Sequence, residues 1–265
     1  MSIGIDPSAL PRAIVMRYDR GEIVFPAGGC PTLVEYTYQG CGMQLFGKNA
    51  AFLTDPGFQH AHARGWESAG RKARCIDDNR WIMHTALWAA RQAVRLPGDF
   101  VECGVDTGMM SVAICEYLDF NRANRDFWLF DTFRGIPEAQ MNEAERVGIG
   151  TWHNRNSYEE CFEQAQDHFA PWPRCRLIQG EVPETFAQFP PDRRVAYLSI
   201  DMNIVAPELA ALEFFWDRLV PGGIVLLDDY AWANHRPQQE ALDGFAAAHG
   251  VAILSLPTGQ GLLIR

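Results

Sequence analysis

From Asp99 to the end of the chain, short apolar segments alternate with segments of helical spacing. This order is typical of a parallel β-sheet whose strands are connected by helices. Each apolar segment is nearly continuous, as expected for a strand that is buried on both faces. We therefore predict five parallel strands, at residues 99–103, 127–131, 175–180, 195–201 and 222–229.

The segments between these strands predict helices at residues 109–118, 158–169 and 207–219, and a further helix runs from Pro237 to Gly250. The chain then ends in two apolar segments, 251–257 and 261–265, joined by a glycine-containing turn, which predicts a hairpin. Five parallel strands and a hairpin match the class I methyltransferase fold, an α/β, Rossmann-like sheet of seven strands with a terminal antiparallel hairpin. A dinucleotide-binding fold more often continues its strand–helix alternation to the end.

Two segments precede this predicted methyltransferase domain of residues 99–265. Residues 51–98 form a helical lead-in, in which residues 78–95 have the pattern of an amphipathic helix. Residues 1–50 predict a β-rich extension, because β-prone pieces at 12–19, 22–25 and 33–40 are broken by glycines. Such a short extension cannot bury a core of its own. We expect it to cover the active site or to contact a second subunit of a homo-oligomer.

Charge and composition argue against several kinds of partner. The 265 residues carry 23 Lys and Arg against 33 Asp and Glu, for a net charge of −10. The basic residues form no stripe of the kind that binds a duplex, so we expect no nucleic-acid partner. No apolar run has the length of a signal peptide or membrane span, which predicts a cytoplasmic protein without a membrane partner. The seven cysteines include no Cys-x-x-Cys pair, which favours reduced thiols over a zinc site.

The ends of the first three predicted strands suit a nucleoside cofactor. The first strand runs into an ExGxxxG pattern, whose glycines let the backbone turn tightly and approach a ligand. Asp131 ends the second strand, from which an acid commonly binds both ribose hydroxyls. Each feature alone also fits an ordinary turn, but the two together favour the cofactor. The predicted cofactor-binding residues are Glu102, Gly104, Gly108, Ser111, Asp131 and Glu181.

Three aspartates follow the fourth and fifth predicted strands. Asp201 ends the fourth strand, and the pair Asp228 and Asp229 ends the fifth. If these strands are neighbours, three carboxylates converge at one edge of the sheet and repel one another unless a cation joins them. Oxygen ligands suit Mg²⁺ or a similar hard ion. The sequence therefore predicts a metal site there, with solvated strand ends as the alternative.

Histidines offer weaker signals. His235 closely follows the Asp228-Asp229 pair and could serve as a general base at the same edge, as could Asp201. His60 and His62 could share one side of an extended segment, although a solvated loop fits them better. The long polar segment 138–156, which contains Trp152 and His153, predicts either a functional lid or a flexible surface loop.

Four blocks of this sequence resemble, in order, those of the macrocin O-methyltransferase family: GDFVECGVDTG, WLFDTFRGIPE, LSID and LVPGGIVLLDDY. The resemblance covers about residues 75–245. It implies a bacterial enzyme that transfers a methyl group from S-adenosylmethionine to a sugar hydroxyl of an antibiotic, with Mg²⁺. By position, the cofactor loop matches at Glu102, Gly104 and Gly108, the ribose acid at Asp131, and the metal ligands at Asp201, Asp228 and Asp229.

Two blocks depart from the family pattern. The family commonly has Trp-Arg-Gly-Gly after its ECGV block, where this chain has Asp106-Thr-Gly-Met109. The block after the fourth strand usually reads LDGDLYEST, whereas here Asp201 is followed by Met-Asn203-Ile-Val-Ala-Pro. The second acid and the aromatic residue are therefore lost. Since that loop faces the acceptor, the acceptor of the family need not be the acceptor of this chain.

The resulting hypothesis is Mg²⁺-assisted methyl transfer from S-adenosylmethionine to a hydroxyl of a small molecule, with a sugar of a glycosylated natural product as the preferred acceptor. A catechol-type O-methyltransferase is one alternative, although its metal block usually ends in Asp-Asn. A nicotinamide dehydrogenase is disfavoured by the terminal hairpin and by the lack of GxGxxG. A diverged, non-catalytic protein that binds S-adenosylmethionine is the third alternative.

Overall fold

A computed structural model describes residues 22–23, 34–46, 48–70 and 78–265. Its first element is a small antiparallel sheet with strands in chain order, namely β1 (Glu22–Ile23), β2 (Val34–Gly40) and β3 (Met43–Phe46). β1 and β2 fall within the β-prone pieces at 22–25 and 33–40, whereas β3 lies outside the predicted pieces. The piece predicted at 12–19 lies outside the described residues.

A seven-stranded sheet forms the centre of the molecule, in the order β6-β5-β4-β7-β8-β10-β9. Strands β4 to β8 pair in parallel, β10 is antiparallel to β8, and β9 is antiparallel to β10. This arrangement confirms the class I methyltransferase fold. The strands are β4 (Asp99–Cys103), β5 (Phe127–Asp131), β6 (Cys175–Gln179), β7 (Val195–Ile200), β8 (Leu219–Leu227), β9 (Leu254–Ser255) and β10 (Gly261–Ile264).

Helices lie on both faces of this sheet. The described helices are α1 (Pro56–Glu67), α2 (Arg80–Ala93), α3 (Met109–Leu118), α4 (Glu143–Val147), α5 (Ile149–Asn156), α6 (Phe162–Phe169), α7 (Val205–Trp216) and α8 (Arg236–Ala248). Side chains alternate along the buried β4 strand, so Phe100 packs in one cluster with residues of α1, α2 and α3. Val101 packs in the other cluster with residues of α7 and α8. Burial on both faces explains the continuous apolar runs of the sequence.

The register of the central strands aligns their carboxyl ends. Cys103 of β4 lies beside Phe130 of β5 and beside Ile200 of β7, and Ile200 lies beside Leu227 of β8. The residue after each of these positions therefore lies in one row along the carboxyl edge of the sheet. That row contains Gly104, Asp131, Asp201 and Asp228.

Segment 138–156 is helical, so the prediction of a long loop is wrong. It contains a 3₁₀ helix at Glu138–Gln140, followed by α4 and α5. Asn142 and Glu145 form a capping box, in which each side chain accepts the other residue's backbone N–H. Helices of five and eight residues are too short to show a clear apolar period, which explains why the pattern missed them.

Smaller differences affect the ends of elements. The helix predicted at 158–169 begins at Phe162, the one predicted at 207–219 spans Val205–Trp216, and the one predicted at 78–95 spans Arg80–Ala93. No described helix is both long enough and apolar enough to cross a membrane. The five cysteines within the described ranges are free thiols, while Cys30 and Cys75 lie outside those ranges.

Candidate active site

Gly104, the residue after β4, lies against the backbone of Asp201, the residue after β7. Its φ is +92°, and a Cβ at this position would overlap the backbone carbonyl of Asp201. Gly108 also has a positive φ, +99°, and a Cβ there would lie 2.6 Å from the ring of Phe169. Both glycines are therefore required by backbone conformation and by space. They allow the loop 104–108 to turn sharply from β4 into α3.

Asp131 holds this loop in place. Its Oδ2 accepts the backbone N–H groups of Val105 at 2.5 Å and Asp106 at 2.7 Å, and its Oδ1 accepts the N–H of Phe133 at 2.6 Å. A carboxylate has about four lone-pair positions, so capacity remains for a ligand hydroxyl. Asp131 also lines a cavity at the ends of β5 and β6.

Both apolar and polar residues line this first cavity. Gly180 and Val182 line it, whereas Glu181 between them faces Arg134, whose Nη2 is 3.6 Å from the Glu181 Oε1. The nearby Gln140 donates from its Nε2 to the Val182 carbonyl at 2.8 Å. The other lining residues include Gly104, Asp106, Phe130, Asp131, Thr132, Ile136, Tyr158, Asp201 and Met202.

A second cavity of about 320 Å³ adjoins the first. The two cavities share Gly104, Asp106 and Asp201, so they meet over the loop that follows β4. Several elements contribute to the second cavity, including the β2–β3 turn, the start of α2, α5 and the loops after β4, β7 and β8. Its other lining residues are Cys41, Gly42, Asn79, Ile82, Glu102, Val105, Met109, Met110, His153, Asn203, Asp228, Asp229 and Trp232.

Glu102 and Ser111 form one unit beside this cavity. Glu102 is the last but one residue of β4, is nearly buried, and contributes to the cavity wall. Ser111, in the first turn of α3, is fully buried and donates from its Oγ to the Glu102 Oε2. Ser111 is not among the lining residues of either cavity, so it reaches a ligand only through Glu102.

The three predicted metal ligands line the second cavity together, at the ends of the adjacent strands β7 and β8. Each of the three carboxylates, however, has a different polar partner. Asp201 Oδ1 accepts from Asn203 Nδ2 at 2.9 Å, Asp228 Oδ1 accepts from Gln260 Nε2 at 3.0 Å, and Asp229 Oδ2 lies 3.8 Å from His235 Nδ1. Across the described part of the chain, no three His, Cys, Asp or Glu residues are grouped to hold a metal ion. The aspartates therefore share a cavity without forming a ligand cluster.

The predicted base His235 lies behind this edge of the sheet. It is 3% exposed, and its Nδ1 is 2.6 Å from the Gln238 Oε1. Burial lowers the pKa of the His235 imidazole. His235 does not line either of the two cavities. His60 and His62 belong to helix α1 and not to an extended segment or loop.

Sequence reasoning missed a network around Asn203, which was singled out only because it departs from the family pattern. Asn203 has a φ of +64°, in the left-handed region. Its backbone N–H donates to Glu208 Oε1 at 2.8 Å, and its Nδ2 also donates to Tyr158 Oη at 3.0 Å. Glu208 is 3% exposed, and burial raises the pKa of its carboxyl well above the usual range. Helix α7 carries two glutamates, Glu208 and Glu213, and the sequence gives no signal that distinguishes the buried one from the exposed one.

Comparison with known proteins identifies the family. A profile of the family described as macrocin-O-methyltransferase (TylF) matches residues 76–254, which is most of the chain. A Streptomyces olivaceus protein, 8-demethyl-8-(2,3-dimethoxy-alpha-L-rhamnosyl)-tetracenomycin-C 4′-O-methyltransferase, is 28% identical over 211 residues, which are 75% of this chain and 76% of the relative. Demethyldecarbamoylnovobiocin O-methyltransferase of Streptomyces niveus is 26% identical over 163 residues, covering 59% and 61% of the two chains.

A solved structure shares the fold. The crystal structure of the calicheamicin methyltransferase CalS11 superposes with a TM-score of 0.58 at 20% identity, and the match covers 86% of this chain and 99% of that chain. The loop after β4, the acid at the end of β5 and the aspartates after β7 and β8 all lie within the residues matched by the family profile. The chain therefore belongs to the macrocin O-methyltransferase family of S-adenosylmethionine-dependent sugar O-methyltransferases.

Proposed function

We propose that this protein transfers a methyl group from S-adenosylmethionine to a sugar hydroxyl of a glycosylated natural product. The observation that carries the proposal is the meeting of two cavities over Gly104, Asp106 and Asp201. One cavity has the position and lining for a nucleoside, and the other can accept a second molecule. Relatives named for methylation of rhamnosyl-tetracenomycin and of demethyldecarbamoylnovobiocin support the acceptor class.

In this proposal the adenosine occupies the first cavity. Asp131 binds a ribose hydroxyl at the lone-pair position that its three backbone N–H donors leave. Gly180 lies beside the adenine, and Glu181, which does not line the cavity, acts there only through its ion pair with Arg134. The methionine part extends into the second cavity, where Glu102, held by Ser111, binds its ammonium group. Gly104, which lines both cavities, lets the backbone approach the cofactor without a side chain, whereas Gly108 lines neither cavity and shapes the loop that precedes α3. The sulfonium then lies where the cavities meet, with its methyl group toward the second cavity.

The second cavity would hold the acceptor sugar. Its apolar lining residues, Ile82, Met109, Met110 and Trp232, can contact the hydrophobic faces of the sugar and of its aglycone. The reacting oxygen must lie in line with the methyl–sulfur bond at about 3 Å, which contacts with the cavity wall can enforce. The carboxylates that line the same cavity can accept hydrogen bonds from neighbouring hydroxyls and thereby select which oxygen reacts.

We propose that Asp201, Asp228 and Asp229 bind Mg²⁺. What supports this is the chemistry of the donor set, since three carboxylates line one cavity and hard oxygen ligands suit Mg²⁺. Their present hydrogen bonds to Asn203 and Gln260 mean that the side chains would have to turn toward a common point. A bound divalent ion supplies a Lewis acid, which lowers the pKa of a coordinated hydroxyl.

The test begins with cofactor binding. Calorimetry should detect binding of S-adenosylmethionine and no binding of NAD, which separates a methyltransferase from a dehydrogenase. The protein is then incubated with S-adenosylmethionine and a panel of glycosides with free hydroxyls, including 4-nitrophenyl α-L-rhamnopyranoside, rhamnosylated polyketides and catechol. Mass spectrometry should show a methylated glycoside and an equal amount of S-adenosylhomocysteine. Methylation of catechol alone would support the catechol-type alternative, and binding without any transfer would support the non-catalytic one.

A further inference from the structure

We infer that His153 is the general base that takes the proton of the acceptor hydroxyl. This inference rests on the proposed function. In the reaction the hydroxyl oxygen forms a bond to the methyl carbon, and the methyl–sulfur bond breaks with its electron pair on sulfur. The hydroxyl proton passes to a neutral imidazole nitrogen, which later releases it to solvent. The sulfonium becomes the neutral thioether of S-adenosylhomocysteine, so atoms and charge balance.

The reaction needs a base that accepts the hydroxyl proton. The two bases predicted from the sequence, His235 and Asp201, are poorly suited to this role. His235 is buried behind the edge of the sheet, with its Nδ1 against Gln238. Asp201 already accepts a hydrogen bond from Asn203 and belongs to the proposed metal site. Asn203 stands where the family pattern has a second acid, and its amide cannot take a proton at neutral pH. Burial raises the pKa of the Cys41 thiol to about 11, so Cys41 stays neutral.

His153 combines a position in the cavity wall with a basic ring nitrogen. It lines the second cavity from helix α5, together with Asp201 and Asp229. Of the histidines in the described ranges, it is the one that contributes to the lining of either cavity. An imidazole is the side chain best suited to exchange protons near neutral pH. The cavity therefore presents one imidazole to an acceptor that enters beside the three aspartates.

The ring of His153 is held by its neighbours. It stacks on Tyr158, with ring centroids 5.6 Å apart and ring planes at 25°. The ring of Trp152 is nearly perpendicular to it, with the two centroids 5.2 Å apart. Tyr158 in turn accepts a hydrogen bond from Asn203, whose amide also donates to Asp201. The imidazole is thus connected through two contacts to the loop after β7. This fixed ring orientation is what general-base catalysis requires.

The charges around His153 suit an imidazolium product. Two titratable side chains have rings near that of His153. One is Tyr158, and the other is His235, at a centroid distance of 6.2 Å. No Lys or Arg lines the cavity within the described residues. The carboxylates that share the cavity stabilise the positive charge that forms when the proton is taken, because those of Asp201, Asp228 and Asp229 together exceed the charge of one Mg²⁺ ion. The other titratable groups that share the cavity are Cys41, Glu102, Asp106, Asp201, Asp228 and Asp229.

The experiment compares His153→Phe, His153→Ala and the control His60→Ala with the full-length wild type. Phenylalanine preserves a ring that can stack on Tyr158 but offers no basic nitrogen, and His60 is an exposed residue of α1. The acceptor is the member of the glycoside panel with the highest wild-type turnover. We measure kcat from S-adenosylhomocysteine formation, the Kd of S-adenosylmethionine by calorimetry, and the pH dependence of kcat/KM.

We expect His153→Phe to lower kcat by about a hundredfold or more, with the Kd of S-adenosylmethionine unchanged within about twofold. The wild-type kcat/KM should fall about tenfold for each pH unit on the acid side, since only the neutral imidazole accepts a proton, and this dependence should vanish in His153→Phe. Added imidazole should restore part of the His153→Ala activity. His60→Ala should match the wild type.

Two results would overturn the inference. The first is a kcat for His153→Phe within about threefold of the wild type. The second is a reduced kcat whose acid-side pH dependence is the same as in the wild type, which would assign the base to another group. A wild type that methylates no glycoside of the panel would instead overturn the proposed function, and this inference with it.

Discussion

The buried carboxylate of Glu208 accepts the backbone N–H of Asn203 at 2.8 Å. The same oxygen also accepts the N–H of Met202 at 3.1 Å and the Nε2 of Gln238 at 3.0 Å. Gln238 follows the loop after β8, so one carboxylate on α7 connects the two loops that bear the aspartates. Asn203 keeps its left-handed conformation because its N–H points to this acceptor.

The first prediction concerns the pH dependence of stability. Burial, reinforced by the charge of Asp229, raises the pKa of Glu208 in the folded protein. The folded state then binds this proton more tightly than the unfolded state, so the contribution of Glu208 to stability is full at low pH and falls as pH rises. Between about pH 5 and pH 8 the wild type should lose at least about 1 kcal/mol more free energy of unfolding than Glu208→Gln.

Urea unfolding at both pH values measures this difference. Equal losses in the two proteins would show that Glu208 carries no raised pKa. Glu208→Ala serves as the contrasting variant, because it removes the acceptor of two backbone N–H groups altogether. It should destabilise the protein by about 2–4 kcal/mol at either pH.

The second prediction compares two glycines. Gly104→Ala combines a positive φ with overlap of the new Cβ on the Asp201 carbonyl, so it should destabilise the protein by about 3 kcal/mol or more. Gly244 lies in the interior of α8, and a Cβ built at this position would have no neighbouring atom within 4 Å. Gly244→Ala should therefore stabilise the protein by about 0.5–1 kcal/mol. Thermal or urea unfolding distinguishes them, and similar effects of the two changes would contradict the close approach of β4 to β7.

The third prediction tests the proposed ribose acid. Asp131→Ala should weaken binding of S-adenosylmethionine by about 1.5–3 kcal/mol, the scale of hydrogen bonds lost to a charged group. Part of this loss arises because the loop residues Val105 and Asp106 lose their acceptor. Asp119→Ala, at an exposed acid paired with Arg122, is the control and should leave the Kd unchanged. Unchanged affinity in Asp131→Ala by calorimetry would remove Asp131 from the cofactor site.

The fourth prediction tests the N-terminal extension as an active-site cover. Cys41 and Gly42, in the turn between β2 and β3, line the second cavity. Cys41→Phe should fill part of this cavity and raise the KM of the acceptor about tenfold, while the Kd of S-adenosylmethionine stays the same. Gln44→Phe introduces the same side chain at an exposed position of β3 and should not change either constant. An unchanged acceptor KM in Cys41→Phe would exclude the turn from acceptor binding.

The fifth prediction concerns the proposed metal. A chelator should abolish methyl transfer but leave binding of S-adenosylmethionine intact, because the proposed cofactor contacts use other carboxylates. Asp228→Asn should lower kcat by about a hundredfold or more with little loss of stability, since it reduces repulsion among neighbouring acids. Full turnover after metal stripping would contradict the Mg²⁺ proposal and leave catalysis to the protein's own base.

The central sheet was predictable because its strands are buried on both faces and therefore apolar along their whole length. Strands β4 and β5 begin and end where the sequence places them, and the terminal hairpin distinguishes this fold from a dinucleotide-binding one. The edge residues Asp131, Asp201 and Asp228 could be grouped because parallel strands end at the same side of a sheet.

What could not be predicted depends on contacts between residues far apart in sequence. The pattern of segment 138–156 cannot reveal that α5 brings His153 to the cavity, because the same cavity is lined by Asn203 and Asp229, which are far from it in sequence. From sequence alone, Glu208 is predicted to be exposed, as a glutamate in a helix usually is. It is buried because α7 packs against the sheet. The sequence placed His235 at the carboxyl edge of the sheet because it closely follows Asp228 and Asp229. In the fold its side chain is buried, and its Nδ1 lies against the Oε1 of Gln238 in the first turn of α8.

Methyl transfer to a sugar oxygen is tested most directly with S-adenosylmethionine labelled with carbon-13 in its methyl group. The purified protein is incubated with the labelled cofactor and the glycoside that mass spectrometry identifies as the best acceptor. NMR then follows the labelled carbon. The account predicts a new methoxy signal with a through-bond correlation to a proton of the sugar ring. A label found only on a phenolic oxygen of the aglycone, or still on the intact cofactor after prolonged incubation, would contradict it.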